Sequence, residues 1–268
     1  MNAISDTLFH FIGKQHKEDP NEQFNIFKMI IENGLKLGNV EFIVGDQGFV
    51  KHKGICFTDI PLNFCDDHTA FYGKFAIGFK KSFVKDVGGN PARYFVDYHN
   101  PLVPNIPTAR GLLFTNIRNI FSKVLALNKK CESSDSGIYD KNNEEIFSKK
   151  EIHEFYSHFV QLFSFDKPCG DLGPVRDGAA EMDIFYKERE WRIIQYEHPV
   201  NIGLINKVGD EYLIPFSREN IRIVIVPNDE IKNKVNDYFI NLNYDDKRLK
   251  TFRSNLVTVI NYDDIKHI

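Results

Sequence analysis

The chain has 268 residues, of which 42% are hydrophobic, and its mass of 31.1 kDa is enough to bury a large core. A formal net charge of −3 provides no overall attraction to nucleic acid or to an anionic membrane surface. No apolar run approaches the roughly 20 residues needed to cross a bilayer, so we expect no membrane span.

The four cysteines are widely and unevenly spaced and include no CxxC pair, at Cys56, Cys65, Cys131 and Cys169. With no signal-like segment before them, this pattern favours reduced thiols and a cytoplasmic protein. Cys56, Cys65 and His68 could begin a zinc site, but no second close pair completes the usual ligand spacing. We therefore expect no metal.

The first hundred residues predict one helix among several strands. The alternating "TLFHFIG" at 7–13 predicts a strand, and Asp19 with Pro20 predicts the start of a helix that stops at Gly34. The apolar stripe of that helix is Phe24, Phe27 and Ile31. Further strands are predicted at 54–62, 72–84 and 92–99.

The second half predicts helices first and strands afterwards. Apolar spacing predicts a helix at 111–127, residues 129–145 are expected to form a mobile loop, and Ser148 with Glu151 forms a capping box for the next helix. The stripe of that second helix is Ile152, Phe155, Phe159 and Phe163. Strands are predicted at 186–196, 211–216, 221–226 and 256–260, with a helix at 230–242.

These elements predict one α+β domain spanning 1–268. Its sheet is expected to draw strands from about 5–100 and from about 184–262. A helical insertion is expected at about 108–165.

The segment "KEREWRII" at 187–194 carries the candidate chemistry. If it is extended, Glu188, Glu190 and Arg192 share one face, while Trp191 and Ile193 share the opposite face, which we expect to be core. One interpretation is a simple ion pair between Glu190 and Arg192 on an exposed strand. The other is a pair of carboxylates that binds a substrate.

Adjacent carboxylates suit the cleavage of a glycosidic bond through an oxocarbenium-like state. In nicotinamide adenine dinucleotide (NAD) the leaving group is already a cation and needs no acid to protonate it. One glutamate is then sufficient to bind the ribose 2′-hydroxyl and stabilise the developing charge, while its neighbour orients or deprotonates the acceptor.

Several motifs together resemble the AbiGi-like abortive-infection proteins of bacterial phage defence, from about residue 8 to residue 262. The family is commonly labelled an antitoxin component. The motifs are "FHF" at 9–11, "CFTDIPL" at 56–62, "YGKFAIGFKKSFV" at 72–84, "EREWRI" at 188–193 and "IVPND" at 225–229.

The chain order of its polar residues also resembles, more distantly, the ADP-ribosyltransferase fold, including the DarT-like toxins. That resemblance implies an ADP-ribosyltransferase-like split mixed sheet, with Glu190 catalytic and Glu188 beside it. The residues that would contact NAD are His10, Phe11, Thr58 and Tyr72.

The pattern departs from the well-known subclasses, because it combines an early histidine with ExE and lacks a Ser-Thr-Ser strand. The middle position is therefore open between Thr58 and Tyr72, and Gly73 and Gly78 near Tyr72 favour the tyrosine. His10 has an alternative role as a core histidine bonded to a backbone carbonyl, and Tyr72 has one in packing.

Two functions from different classes remain. The first is an NAD-dependent ADP-ribosyltransferase toxin that modifies a macromolecule, with RNA or DNA slightly favoured over protein because of scattered lysine pairs. The second is a non-catalytic antitoxin or phage-sensing protein that binds a cognate partner. A third, weaker reading is a metal-dependent hydrolase that uses the acidic pairs Asp66-Asp67 and Asp263-Asp264.

Overall fold

The computed structural model describes residues 6–43, 49–62, 65–97, 109–134, 136–170, 189–242 and 257–265. The chain forms two compact units. The first comprises Met1–Gly38, Lys53–Pro91 and Lys187–Ile268, and the second comprises Asn39–His52 and Ala92–Tyr186. This division does not test the prediction that residues 1–268 form a single domain, which stays a prediction.

The described strands and helices follow one another along both units. In chain order the strands are β1 (Thr7–Phe11), β2 (Leu35–Lys36), β3 (Gly38–Ile43), β4 (Phe49–Thr58), β5 (Ala76–Lys80), β6 (Asn90–Pro91), β7 (Arg93–Asp97), β8 (Ile138–Tyr139), β9 (Glu145–Phe147), β10 (Asp166–Gly170), β11 (Glu190–Ile194), β12 (Asn206–Val208), β13 (Glu211–Ile214), β14 (Ile221–Val226) and β15 (Thr258–Asn261). The helices are α1 (Pro20–Asn33), α2 (Asp66–Tyr72), α3 (Lys81–Asp86), α4 (Ala109–Ser134), α5 (Lys149–Phe163), α6 (Glu197–Asn201), α7 (Asp229–Ile240) and α8 (Tyr262–Ile265).

The first unit is built on a mixed sheet with the strand order β15-β14-β5-β1-β4-β11-β6. β14 and β15 run parallel, whereas the other neighbours along this path pair antiparallel. A small sheet, β12-β13-β2, also belongs to this unit. The central position of β1 and β4 brings strands from both ends of the chain next to each other.

Hydrophobic residues cover both faces of the main sheet. Leu8 and Ile77 belong to the larger core, which also contains side chains of α1 and α7, whereas Phe9 and Ala76 belong to a smaller core with Tyr262. Successive residues of β1 and β5 therefore enter different cores, as the strand period of two requires.

Helix α1 has the start and the end that its sequence predicts. The Asp19 side chain accepts hydrogen bonds from the backbone N–H groups of Asn21 and Glu22, each at 3.1 Å, and Pro20 occupies the first turn. The helix ends at Gly34, whose φ of +98° favours glycine. Its inner face buries Phe27 and Ile31 together with Gln23.

The second unit contains the helix pair α4 and α5. The Phe121 ring lies 5.1 Å from the Phe163 ring, and Ser148 with Glu151 forms the predicted capping box at the start of α5. β7 pairs parallel with β10, β8 pairs antiparallel with β9, and β3 pairs with β4.

The mixed sheet and the helices confirm the predicted α+β class, while the ADP-ribosyltransferase-like arrangement stays a prediction. Three local predictions were wrong. Residues 129–134 are helical and 138–147 carry a hairpin instead of a loop, residues 81–86 form α3 instead of continuing a strand, and Phe155 is exposed. The hairpin forms because Asp140 accepts backbone hydrogen bonds from Asn142 and Glu144, which closes a tight turn.

Candidate functional site

Three strands bring Glu190 and Thr58 together on one face of the main sheet. Phe9 of β1 pairs with Thr58 of β4, and Thr58 pairs in turn with Glu190 of β11. Because directly paired residues project to the same side of a sheet, these three side chains form a row. Thr58 and Glu190 are both buried.

The Glu190 carboxylate is held by its neighbour on the same strand face. Arg192 Nε donates a hydrogen bond to Glu190 Oε1 at 2.6 Å, and the two side chains are only 10% and 8% exposed for Glu190 and Arg192. The sequence predicted the shared face correctly, and Ile193 on the opposite face is core. The pair is buried rather than exposed.

His10 projects from the opposite face of the sheet, since it follows Phe9 on β1. Its ring lies 5.7 Å from the Phe57 ring, and its Nδ1 lies 2.9 Å from the Cys56 carbonyl oxygen. A carbonyl oxygen only accepts, so Nδ1 carries the proton and donates. His10 and Glu190 therefore do not point into a common hollow.

Burial determines the protonation behaviour of His10. Desolvation lowers the pKa of the imidazole, and the hydrogen bond to the Cys56 carbonyl opposes that shift less strongly. His10 is half-buried and bonded to a backbone carbonyl, which resembles the alternative role considered for it from the sequence.

Phe11 and Tyr72 meet in an aromatic cluster. Tyr72 is the last residue of α2, not part of the predicted middle strand, and its ring lies 6.5 Å from the Phe11 ring. His68 lies 4.6 Å from Phe11 and stacks 4.4 Å from Tyr72. Lys14 Nζ lies 3.9 Å from the ring centre of Phe71 in the same cluster. The i, i+4 spacing of His68 and Tyr72 was the sequence signal for this contact. That spacing brings two side chains together only if both residues lie on a helix.

Glu188 lies outside the described residues, so its predicted position beside Glu190 stays a prediction. Of the other residues predicted for the site, Thr58 pairs directly with Glu190, and Phe11 lies two residues from Phe9 and shares its face. His10 is separated from this set by the sheet itself.

A second buried carboxylate, Asp59, follows Thr58 directly. Its side chain is 6% exposed and lies 2.6 Å from Lys81 Nζ and 3.7 Å from the Arg189 guanidinium. Lys81 in turn lies 5.0 Å from the centre of the Trp191 ring. Asp59 Oδ1 has no hydrogen-bond partner within the described part of the chain. Sequence reasoning missed the contact between Asp59 and Lys81, since the two residues lie 22 positions apart.

A polar depression of about 550 Å³ lies near α2 and α8. Its lining includes Lys17, Asp66, Thr69, Lys74 and Tyr262. The Tyr262 hydroxyl lies 2.7 Å from Asp66 Oδ1 and 3.2 Å from Thr69 Oγ1, and burial is the main cause that raises its pKa to about 12. None of the residues predicted to bind NAD lines this depression.

Two kinds of site are absent from the described residues. These residues contain no group of three or more His, Cys, Asp or Glu side chains that could hold a metal ion. They also contain no helix of the length and apolar character that a membrane span requires.

Comparison with known proteins identifies the family. A search of curated proteins and a search of solved structures found no match. The model of one protein family matches residues 50–227, well over half of the chain, and its description is "Putative abortive phage resistance protein AbiGi, antitoxin". The matched range includes Thr58 of β4 and Glu190 of β11. The chain belongs to the AbiGi family of abortive phage resistance proteins.

Proposed function

We propose that this protein is the antitoxin of an abortive-infection system, a non-catalytic protein that binds a cognate toxin and neutralises it. The family description supports the antitoxin role. One structural observation carries the non-catalytic part of the proposal: the carboxylate best suited to catalysis, Glu190, is buried in a 2.6 Å ion pair with Arg192.

A glutamate that cleaves NAD must present its carboxylate to the ribose 2′-hydroxyl and to the developing positive charge. At Glu190 a guanidinium already occupies one carboxylate oxygen, and both side chains are at least nine-tenths buried. A ribose would have to displace this guanidinium from the carboxylate, and breaking a buried ion pair of this kind costs several kcal/mol. The pair therefore suits a structural role within β11.

The position of His10 supports the same proposal. In the ADP-ribosyltransferase interpretation, His10 holds the ribose or the nicotinamide amide in the same hollow that receives the Glu190 carboxylate. On opposite faces of one sheet the two residues have no common ligand, and the lowered pKa of the half-buried His10 fits a neutral imidazole.

Growth assays and copurification test the antitoxin proposal. We expect the protein expressed alone to leave bacterial growth unchanged, and its coexpression with the neighbouring toxin gene to restore growth. A tagged copy of the chain should then retain the toxin through size-exclusion chromatography. Growth arrest by this chain alone would overturn the proposal.

A second candidate is the NAD-dependent ADP-ribosyltransferase that modifies a macromolecule, with RNA or DNA as the acceptor. The observation in its favour is that Thr58, Glu190 and Phe11 project from one face, and that Phe11 contacts Tyr72. Calorimetric titration with NAD tests it, together with mass spectrometry of nucleic acid and protein from expressing cells. NAD binding with an added ADP-ribose that Glu190→Gln abolishes would establish this activity.

A further inference from the structure

Helices α4 and α5 of the second unit expose large apolar side chains. On α4 these are Ile120 and Leu127, and on α5 they are Phe155 and Leu162, with the half-buried Phe159 between them. Phe155 is 57% exposed. We call these five residues the α4–α5 apolar face.

These five residues do not form the contact between the two helices. That contact uses a different stripe of each helix, where the buried residues are Phe121, Val124, Asn128 and Cys131 on α4 and Ile152, Val160 and Phe163 on α5. The four exposed residues of the apolar face therefore lie beside this contact and not within it, and their exposure to water is unfavourable.

The two helices run antiparallel. The Phe121 ring lies 5.1 Å from the Phe163 ring, and the charge of Glu132 acts on Tyr156 further along the pair. Residue numbers therefore increase along α4 in the direction in which they decrease along α5.

This direction places the five apolar residues on one side of the pair. At about 100° per residue, Ile120 and Leu127 lie roughly a quarter turn around the helix axis from the buried stripe of α4. The displacement is in the rotational direction in which residue numbers decrease. Phe155, Phe159 and Leu162 have the same displacement on α5. For antiparallel helices, equal displacements of this kind point to the same side, so the apolar face is continuous across both helices.

Charges at the two outer edges of this face differ in sign. Beyond the apolar residues of α4 lies the exposed Lys130, and beyond those of α5 lies the exposed Glu151. A face with one basic and one acidic edge is complementary to a second copy of itself, if a two-fold axis runs parallel to the helices. Each α4 then lies on the α5 of the partner, antiparallel to it, and lysine edges meet glutamate edges.

The size of the face indicates how strong such an association is. α5 has 15 residues and is therefore about 22 Å long, and two helices side by side are about 20 Å wide. A contact of this footprint lies at the small end of specific protein interfaces, so the association depends on concentration.

We propose that the α4–α5 apolar face joins two copies of this chain into a two-fold four-helix bundle. The proposal concerns self-association and is independent of toxin binding.

Sedimentation equilibrium of the full chain at increasing concentrations tests this proposal. We expect the weight-average mass to rise from the 31.1 kDa of one chain towards twice that value. Phe155→Glu should raise the dissociation constant by more than about tenfold, since it places a charge in the apolar contact. The matched control is Ile240→Glu on α7, a residue that is 56% exposed and should leave the association unchanged.

The charged edges provide a second test. Lys130→Glu should weaken the dimer by bringing two negative edges together, and adding Glu151→Gln should restore part of the association. Glutamine keeps the capping box of α5, so the second change removes charge without removing the cap.

Two outcomes would overturn the proposal. One is a monomeric mass at every concentration, and the other is a dimer that Phe155→Glu does not weaken. If the chain is monomeric and Phe155→Glu prevents copurification with the toxin, the face belongs to the toxin and not to a second copy.

Discussion

At the scale of single residues, the ion pair of Glu190 and Arg192 is the feature to which the two proposed functions assign different roles. Two charges at 2.6 Å with about a tenth of each side chain exposed stabilise the fold only as a pair. Removal of one partner deprives the other buried charge of this ion pair, whereas replacement of both by leucine substitutes apolar packing for the pair.

The first prediction follows from this asymmetry. We expect Arg192→Leu to lower the free energy of unfolding by about 3–5 kcal/mol, and the double variant Glu190→Leu/Arg192→Leu to recover most of that loss. Urea unfolding followed by circular dichroism measures both. A loss below about 1 kcal/mol for Arg192→Leu would mean that the pair is not structural.

The second prediction concerns pH and His10. Because burial lowers the pKa of folded His10 below its ordinary value of 6.5, the unfolded chain binds a proton more readily. The contribution of His10 to stability is thus complete above about pH 6.5 and decreases as the pH falls through the unfolded pKa.

Urea unfolding between pH 7.5 and pH 5.5 measures this dependence. The control is His10→Asn, whose side-chain amide can still donate to the Cys56 carbonyl but does not titrate. We expect the wild type to lose more stability than this variant over the range. Equal losses would contradict the assignment of His10 as a neutral core residue.

At the scale of secondary-structure elements, the crowded pairing of β5 with its neighbours fixes the main sheet. A Cβ atom added at Gly78 would lie 2.7 Å from an Ile223 methyl carbon and 2.8 Å from atoms of Phe9 and Thr7. Side chains of both neighbouring strands therefore close over this glycine.

The third prediction is that Gly78→Ala lowers the free energy of unfolding by about 1–3 kcal/mol through overpacking. The matched control is Gly38→Ala, also at a strand glycine, where the nearest atom to an added Cβ is a backbone oxygen at 3.9 Å. That control should be neutral or slightly stabilising. If thermal unfolding shows equal effects for the two variants, the close packing at Gly78 does not hold.

Local sequence signals predicted the elements that depend on local chemistry. Asp19 and Ser148 identified the starts of α1 and α5, because a cap and its backbone partners lie within three residues of each other. Alternation likewise showed that His10 points away from Phe9.

The composition of the candidate site could not be predicted in this way. The alternation within β1 places Phe9 and His10 on opposite faces of the sheet. It does not show which of these two faces also carries Glu190. This depends on the registers of β1 with β4 and of β4 with β11, which join Phe9 to Thr58 and Thr58 to Glu190 across long stretches of sequence. For the same reason the sequence missed the Asp59–Lys81 contact.

At the scale of the whole molecule, the proposed antitoxin role makes another protein the expected ligand. A ligand that binds only the folded state stabilises it by an amount that grows with the logarithm of 1 + [L]/Kd, and the melting temperature rises accordingly. NAD and the toxin therefore have different expected effects on thermal stability.

The fourth prediction is that millimolar NAD leaves the Tm of the purified chain unchanged, while an excess of toxin raises it by several degrees. Differential scanning fluorimetry measures the first effect, and calorimetry of the purified complex measures the second. A rise of Tm with NAD that disappears in Glu190→Gln, with that variant folded, would instead support a nucleotide site at Glu190.

In the proposed role, this chain protects the cell by binding the toxin and needs no catalytic glutamate. The most direct measurement is bacterial growth during toxin expression, with the wild-type chain compared with Glu190→Leu/Arg192→Leu at equal soluble levels. The account predicts equal protection by both proteins. Growth arrest by the wild type alone, relieved in the double variant, would contradict it.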